Sequence, residues 1–195
     1  MPFQAVHLLF INLLTDSLPA IAIGMEKSSK DLLKDKPRGK NSSILDKEFM
    51  WAIGLEGLLI GICTIIAFYI GNPNKTPLTA STMAFATLCL ARLFHGFNCR
   101  GKGSIFKLGV FANKWAWYAF GTGLLFLNLV LFVPFLQNLF EVESLAKEQY
   151  GTIYLLAFIP TLIIQIIKVI RDNIPKNTVK TQSTDRREEE LKNIA

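Results

Sequence analysis

The chain alternates long apolar runs with short polar ones. Five runs last about 20 residues each, the length an α-helix needs to cross a hydrocarbon core. They fall at residues 3–23, 49–70, 79–97, 115–136 and 150–170. The pattern predicts an all-α fold: a multi-pass membrane bundle of five transmembrane helices within residues 1–175, followed by a polar tail at 176–195. Gly, Pro and Asn at 71–77 mark a tight turn between the second and third runs. The tail is rich in Thr, Lys and Glu, a composition that suits a short charged helix or disorder.

Loop charge orients these helices. Of the 21 Lys and Arg residues, all but Lys75, Arg92 and Lys147 lie in the loop 25–48, the loop 95–114 and the stretch from Lys168 onward. These basic segments alternate with the other connections. The positive-inside rule therefore predicts an outside N-terminus and a cytoplasmic C-terminus. Trp51, Trp115, Trp117 and Tyr118 fall near the basic ends of the runs, and Tyr69 and Tyr150 near the opposite ends, as an aromatic belt requires. No basic segment precedes the first run, so it does not read as a signal peptide. An outside N-terminus leading straight into a span reads as part of a larger protein, or as a module that docks on other helices.

Composition agrees with this picture. A chain 51% hydrophobic and 18% charged, with mean hydropathy +0.35, must segregate the two classes. The net charge of +6 sits in loops, which points to membrane topology rather than to nucleic acid. Cys63 and Cys89 lie in apolar runs and Cys99 in a basic loop, so they suggest neither a disulfide framework nor a zinc site.

The chemistry concentrates in Asn12-Leu13-Leu14-Thr15-Asp16-Ser17-Leu18-Pro19-Ala20. A carboxylate in a membrane span costs about 2.5–3.5 kcal/mol on insertion scales, so Asp16 is a functional candidate. On a regular helix, Asn12, Thr15 and Asp16 project from one side. Pro19 has no N–H to offer the Thr15 carbonyl and loosens that turn. Oxygen ligands on an interrupted helix suit a hard cation, and calcium takes six to eight oxygens, so other helices must contribute. The competing reading is an acid near the helix end satisfied by water or caps.

Glu56, flanked by Gly54, Gly57 and Gly61, reads as a structural acid facing a close helix contact or the cytoplasmic interface. His7 and His95 lie at opposite ends of different spans and do not form a metal pair. Pro160 and Gln165 read as a kink and a packing group. The basic loop 98–113 suits lipid headgroups or a docked cytoplasmic domain, and equally a plain topology signal.

The segment from His7 to Gly24 resembles the sixth membrane helix of P-type calcium ATPases, which reads N-L-x-T-D-x-x-P-A. Lys36-Pro37-Arg38-Gly39-Lys40 and Ile53-Gly54-Leu55-Glu56-Gly57 are similar to the next loop and the seventh helix. The likeness is greatest to bacterial members of the sarco/endoplasmic-reticulum branch. It covers essentially the whole chain as helices six to ten, although beyond the first motif the match is mainly one of length and order. The resemblance implies a bacterial plasma-membrane calcium pump whose partners are lipid, the remaining membrane helices and the cytoplasmic domains. It implies that Asn12 and Asp16 are calcium ligands and that Thr15 matches a ligand of a second calcium site. Arg92 stands where two-calcium pumps carry a glutamate. A guanidinium stays charged and cannot ligate calcium. The expectation is therefore a single calcium site, a weak or structural Thr15, and an Arg92 that modulates the site and pairs with Asp16 once the ion leaves. Snorkelling towards the nearby helix end is the other reading of Arg92.

The D-K-T-G-T phosphorylation motif is absent, as is any Walker A sequence. The resemblance places ATP and Mg2+ in domains outside this chain, which carries no catalytic residues of its own. The ligand set alone leaves sodium or manganese transport open, and a non-transporting membrane scaffold is the alternative of a different class.

Overall fold

The computed structural model describes residues 3–26, 47–101 and 103–173, apart from the side chain of Glu48. Regular structure among them is entirely helical. The polar tail at 176–195 and most of the loop 25–48 lie outside the described residues. Among the described residues five helices are long and apolar enough to cross a membrane, and the chain is an all-α multi-pass bundle.

The first span, Ala5–Gly24, is in three pieces: α1 (Ala5–Phe10), a wide π-helical turn at Ile11–Asp16, and α2 (Ser17–Gly24). The π-turn lies immediately ahead of Pro19, where the proline removes a backbone donor. The second span belongs to α3 (Lys47–Ile70) and the third is α4 (Pro77–Asn98). Their connection needs a glycine: a Cβ on Gly71 would lie 2.4 Å from the Ala80 Cα.

A short helix, α5 (Ile105–Leu108), interrupts the loop after α4 and has no counterpart in the apolar pattern. The fourth span, α6, runs Lys114–Phe132 and stops earlier than expected. Pro134 is the reason: it drives Val133 out of the helical region, to ψ 117°, and starts α7 (Pro134–Phe140). Gln137 Nε2 caps a freed carbonyl, that of Leu131, at 2.6 Å. The last helix, α8 (Lys147–Asn173), overruns the expected span at both ends. Lys168 Nζ donates to the carbonyls of Asn98 and Gly101, and Asp172 accepts from the Ser104 N–H, so the loop after α4 holds the extra turn.

The centre of the bundle is α4. Its apolar window is 72% buried, against 22–28% for the other four spans. Ala80, Ala84, Ala86 and Ala91 are each at most 1% exposed and let α3, α6 and α8 approach it closely. The other helices leave large apolar side chains exposed, among them Trp51, Leu58 and Ile65 on α3 and Leu155 on α8. Such surfaces fit lipid or further helices.

Each end of the bundle has a polar tie. At the end opposite the basic loops, fully buried His7 stacks on Phe85, Nδ1 accepts from the Gln4 N–H, and Nε2 donates to the Phe140 carbonyl at 2.7 Å. Thr79 Oγ1 donates to Glu143 at 2.6 Å, and the Glu143 N–H donates to Thr82 Oγ1. At the basic end, the Arg100 guanidinium is fully buried and grips Glu26 with two bonds of 2.9 and 3.0 Å. It also donates to the Gly109 carbonyl, at a residue whose φ of +84° favours glycine. The bond from Arg100 holds the Glu26 carboxyl below its ordinary range. The contribution of this pair is therefore present at neutral pH and is lost only as pH falls through that depressed value.

Asn113 completes the tie. Its Oδ1 caps α6 by accepting from the N–H groups of Trp115 and Ala116, while Nδ2 donates to the Ala22 carbonyl and to Glu26. A lost N-cap costs about 1 kcal/mol, and each lost hydrogen bond about 1 kcal/mol more. Asn113→Ala is expected to lower the thermal midpoint of the full-length protein, by an effect of about 3 kcal/mol. Thermal unfolding in detergent checks this, with an unchanged midpoint counting against the tie.

Candidate ion-binding site

The π-turn sets the geometry of the polar motif. Closing i→i+5 instead of i→i+4 widens the backbone, so residues four apart still share a face while residues three apart no longer do. Asn12 and Asp16 lie on the exposed side of this turn. Thr15 does not join them. It is 1% exposed, packed inward, and its Oγ1 donates to the Ile11 carbonyl at 2.8 Å. The Asn12 carbonyl accepts from Ser17 Oγ at 3.0 Å, which holds the opened turn across five residues.

Arg92 comes to this turn from α4. Its Nη1 lies 2.6 and 2.5 Å from the two oxygens of Asp16. Asp16 is eight residues from the end of α2 and Arg92 six from the end of α4, which sets the pair about 9–12 Å inside the basic end at 1.5 Å per residue. The guanidinium is therefore directed at Asp16 at this depth. Both side chains are partly open, 37% exposed for Arg92 and 44% for Asp16. The open side is where oxygen ligands from outside this chain can approach.

The remaining candidates lie elsewhere. Glu56 Oε2 is 3.4 Å from His95 Nε2, so Glu56 faces α4 and not the ion motif. A Cβ built on Gly54, Gly57 or Gly61 meets nothing within 4 Å, which leaves this small-residue face of α3 without a partner among the described residues. His7 and His95 sit at opposite ends of the bundle. Among the described residues no group of three or more His, Cys, Asp and Glu side chains could hold a metal. All three cysteines are free.

Chemically the motif could supply at most half of a calcium site. Asp16 offers up to two oxygens and Asn12 one, against the six to eight that calcium takes. Arg92 now occupies both carboxylate oxygens. A cation bound there would compete with the guanidinium for one acid.

Comparison with known proteins follows the same lines. Residues 1–170 match the family model described as cation transporting ATPase, C-terminus. The chain is 34% identical over 190 residues to calcium-transporting ATPase 1 of Bacillus cereus, a match covering 88% of this chain and 21% of that protein. It is 39% identical over 179 residues to a calcium-transporting ATPase of Listeria monocytogenes, covering 90% and 20%. A mouse calcium-transporting ATPase, type 2C member 1, is 28% identical over 189 residues, covering 94% and 20%. The chain spans about a fifth of the length of these relatives.

Proposed function

Since the chain belongs to the family of cation-transporting ATPase C-terminal regions, we propose that it forms the last five membrane helices of an ATP-driven calcium pump and contributes to a single calcium site. Asn12 and Asp16 are the ligands it supplies. The observation that carries this is a carboxylate inside a span, on an interrupted helix, gripped by a cation from the neighbouring helix. An acid within a membrane span at a broken helix is the usual form of a membrane ion site.

Arg92 limits the count to one ion. A permanent positive charge beside Asp16 repels a second divalent cation and gives the carboxylate a partner when the calcium leaves. That exchange reduces the need for countertransported protons. Thr15, bonded to its own backbone, keeps the π-turn in place and is not a ligand.

The rest of the pump supplies the missing oxygens, together with the ATP and Mg2+ sites. Its helices pack on the open face of Gly54, Gly57 and Gly61 and beside Asp16, and lipid covers the remaining apolar surface. In this reading Glu26, Asn98, Lys114 and Asn173 lie at the cytoplasmic face of a bacterial plasma membrane and the acidic connection before α8 lies outside, an orientation that the positive-inside rule supports.

Ion identity is tested by ATP-dependent phosphorylation of the full-length protein with calcium, sodium or manganese added in turn. Calcium alone is expected to drive it at micromolar concentration, about −8 kcal/mol of binding. Phosphorylation driven by sodium or manganese without calcium would sink the assignment.

A further inference from the structure

Among the described residues, the buried side-chain polar atoms without a hydrogen-bond partner are Thr87 Oγ1, His95 Nδ1, Asn98 Nδ2 and Thr161 Oγ1. All four belong to α4 or α8, the two helices that pack most extensively on each other. Thr161, Gln165, Lys168 and Asp172 follow at intervals of four, three and four, a single stripe of α8. That stripe meets α4: Gln165 Nε2 donates to Asn98 Oδ1, and Lys168 Nζ donates to the Asn98 carbonyl, each at 2.5 Å. Thr87, eleven residues before Asn98, returns to the same face of α4. His95 flanks it on the side of α3, against Glu56.

The two threonines stand out against others in the chain. Thr15, Thr64 and Thr82 each satisfy their hydroxyl on the carbonyl four residues earlier, at 2.8–2.9 Å. Thr87 and Thr161 do not, although they are 0% and 8% exposed. A buried hydroxyl with no acceptor is costly, and the local alternative was available to both. Ala91 and Ala157, fully buried on the same two helices, keep bulk out of this depth.

We propose that the α4–α8 seam holds a file of ordered water, running from the Lys168–Asn98 contact at the basic end, past Thr161, to Thr87. Eleven residues of α4 span about 16 Å, roughly half of a 30 Å hydrocarbon core. Buried waters make about three hydrogen bonds each to polar groups that otherwise lack them. The unpartnered Thr87, His95, Asn98 and Thr161 atoms supply such positions along the seam. The file hydrates the Glu56–His95 pair from the side that the loop charges assign to the cytoplasm, whereas Arg92 is held by Asp16 on the π-turn of the first span.

The test uses the full-length pump with its native cysteines, including Cys63, Cys89 and Cys99, replaced by alanine. Thr161→Cys is treated with 2-aminoethyl methanethiosulfonate added to the cytoplasmic side of membrane vesicles, and labelling is followed by mass spectrometry. The reagent needs a hydrated thiolate. Thr161→Cys should react at least tenfold faster than Leu162→Cys, whose side chain lies on the exposed face of α8. Equal or slower reaction overturns the proposal. Faster reaction only from the other side overturns its direction while leaving the calcium assignment untouched. Should the cysteine variant fail to fold, Thr87→Val and Thr161→Val decide. In a wet seam each lowers the thermal midpoint, because a water loses a partner. An unchanged or raised midpoint means a dry seam and overturns the proposal.

Discussion

Asp16→Ala in the full-length pump is expected to abolish calcium-dependent phosphorylation while nucleotide binding persists. Two effects combine at this position. The site loses its only carboxylate from this span, and with it as many as two of the six to eight oxygens that calcium needs. Arg92 also loses the partner that both Asp16 oxygens now provide. A cation left inside a span costs about 2.5–3.5 kcal/mol on insertion scales. Loss of a fully charged ligand is expected to weaken calcium binding by about 4 kcal/mol, or a thousandfold. Asp16→Asn keeps the shape and one carbonyl oxygen, and it should fail nearly as completely. The double variant Asp16→Ala with Arg92→Ala separates the two effects. It should recover thermal stability relative to Asp16→Ala alone, because the unpaired cation is gone, yet recover no calcium response. If Asp16→Ala were phosphorylated at ordinary calcium concentrations, the ion-site assignment would fall.

Much of the fold could be read from hydropathy because a membrane span is specified by a single quantity, apolar length. The five runs are therefore visible without knowledge of packing. The departures arise where local backbone chemistry or distant partners decide. Pro134 ends α6 at Phe132 although the apolar run continues past it, because proline restricts the residue ahead of it. The last two turns of α8 carry Lys168, Arg171 and Asp172, which look like tail, and they stay helical because Lys168 and Asp172 find backbone partners at the end of α4 and in the loop after it. Neither partner is near in sequence.

The site divides in the same way. An acid in an apolar run ahead of a proline is a local signal, and it marks Asn12 and Asp16. Regular-helix spacing groups Thr15 with them, and the π-turn moves it inward. The tie of Glu26 to Arg100 joins residues 74 apart and had no sequence signature. The polar stripe of α8 did have one, in the intervals between Thr161, Gln165, Lys168 and Asp172. Its meaning depends on the helix opposite, which one sequence does not disclose.

Arg92→Glu should convert the pump from one calcium per ATP towards two and should make its calcium affinity depend on pH. In the proposed site Arg92 contributes charge neutralisation but no ligand. A glutamate at this position faces Asp16 across the same gap, adding up to two oxygens and reversing the local sign of charge. Two carboxylates this close titrate as a pair, with one proton held more tightly than either acid alone would hold it. Calcium must then displace a proton, so apparent affinity falls as pH drops through the raised value. Arg92→Gln isolates the charge: it removes the competitor for Asp16 without adding a carboxylate. A charged hydrogen bond contributes about 1.5–3 kcal/mol, so its removal should tighten apparent calcium affinity by about 10- to 100-fold, with stoichiometry still at one. Radiocalcium uptake per ATP hydrolysed, measured across pH in sealed vesicles, reads both variants. A ratio of one and a flat pH profile for Arg92→Glu, together with native affinity for Arg92→Gln, would show that the guanidinium sits beside the ion path without governing it.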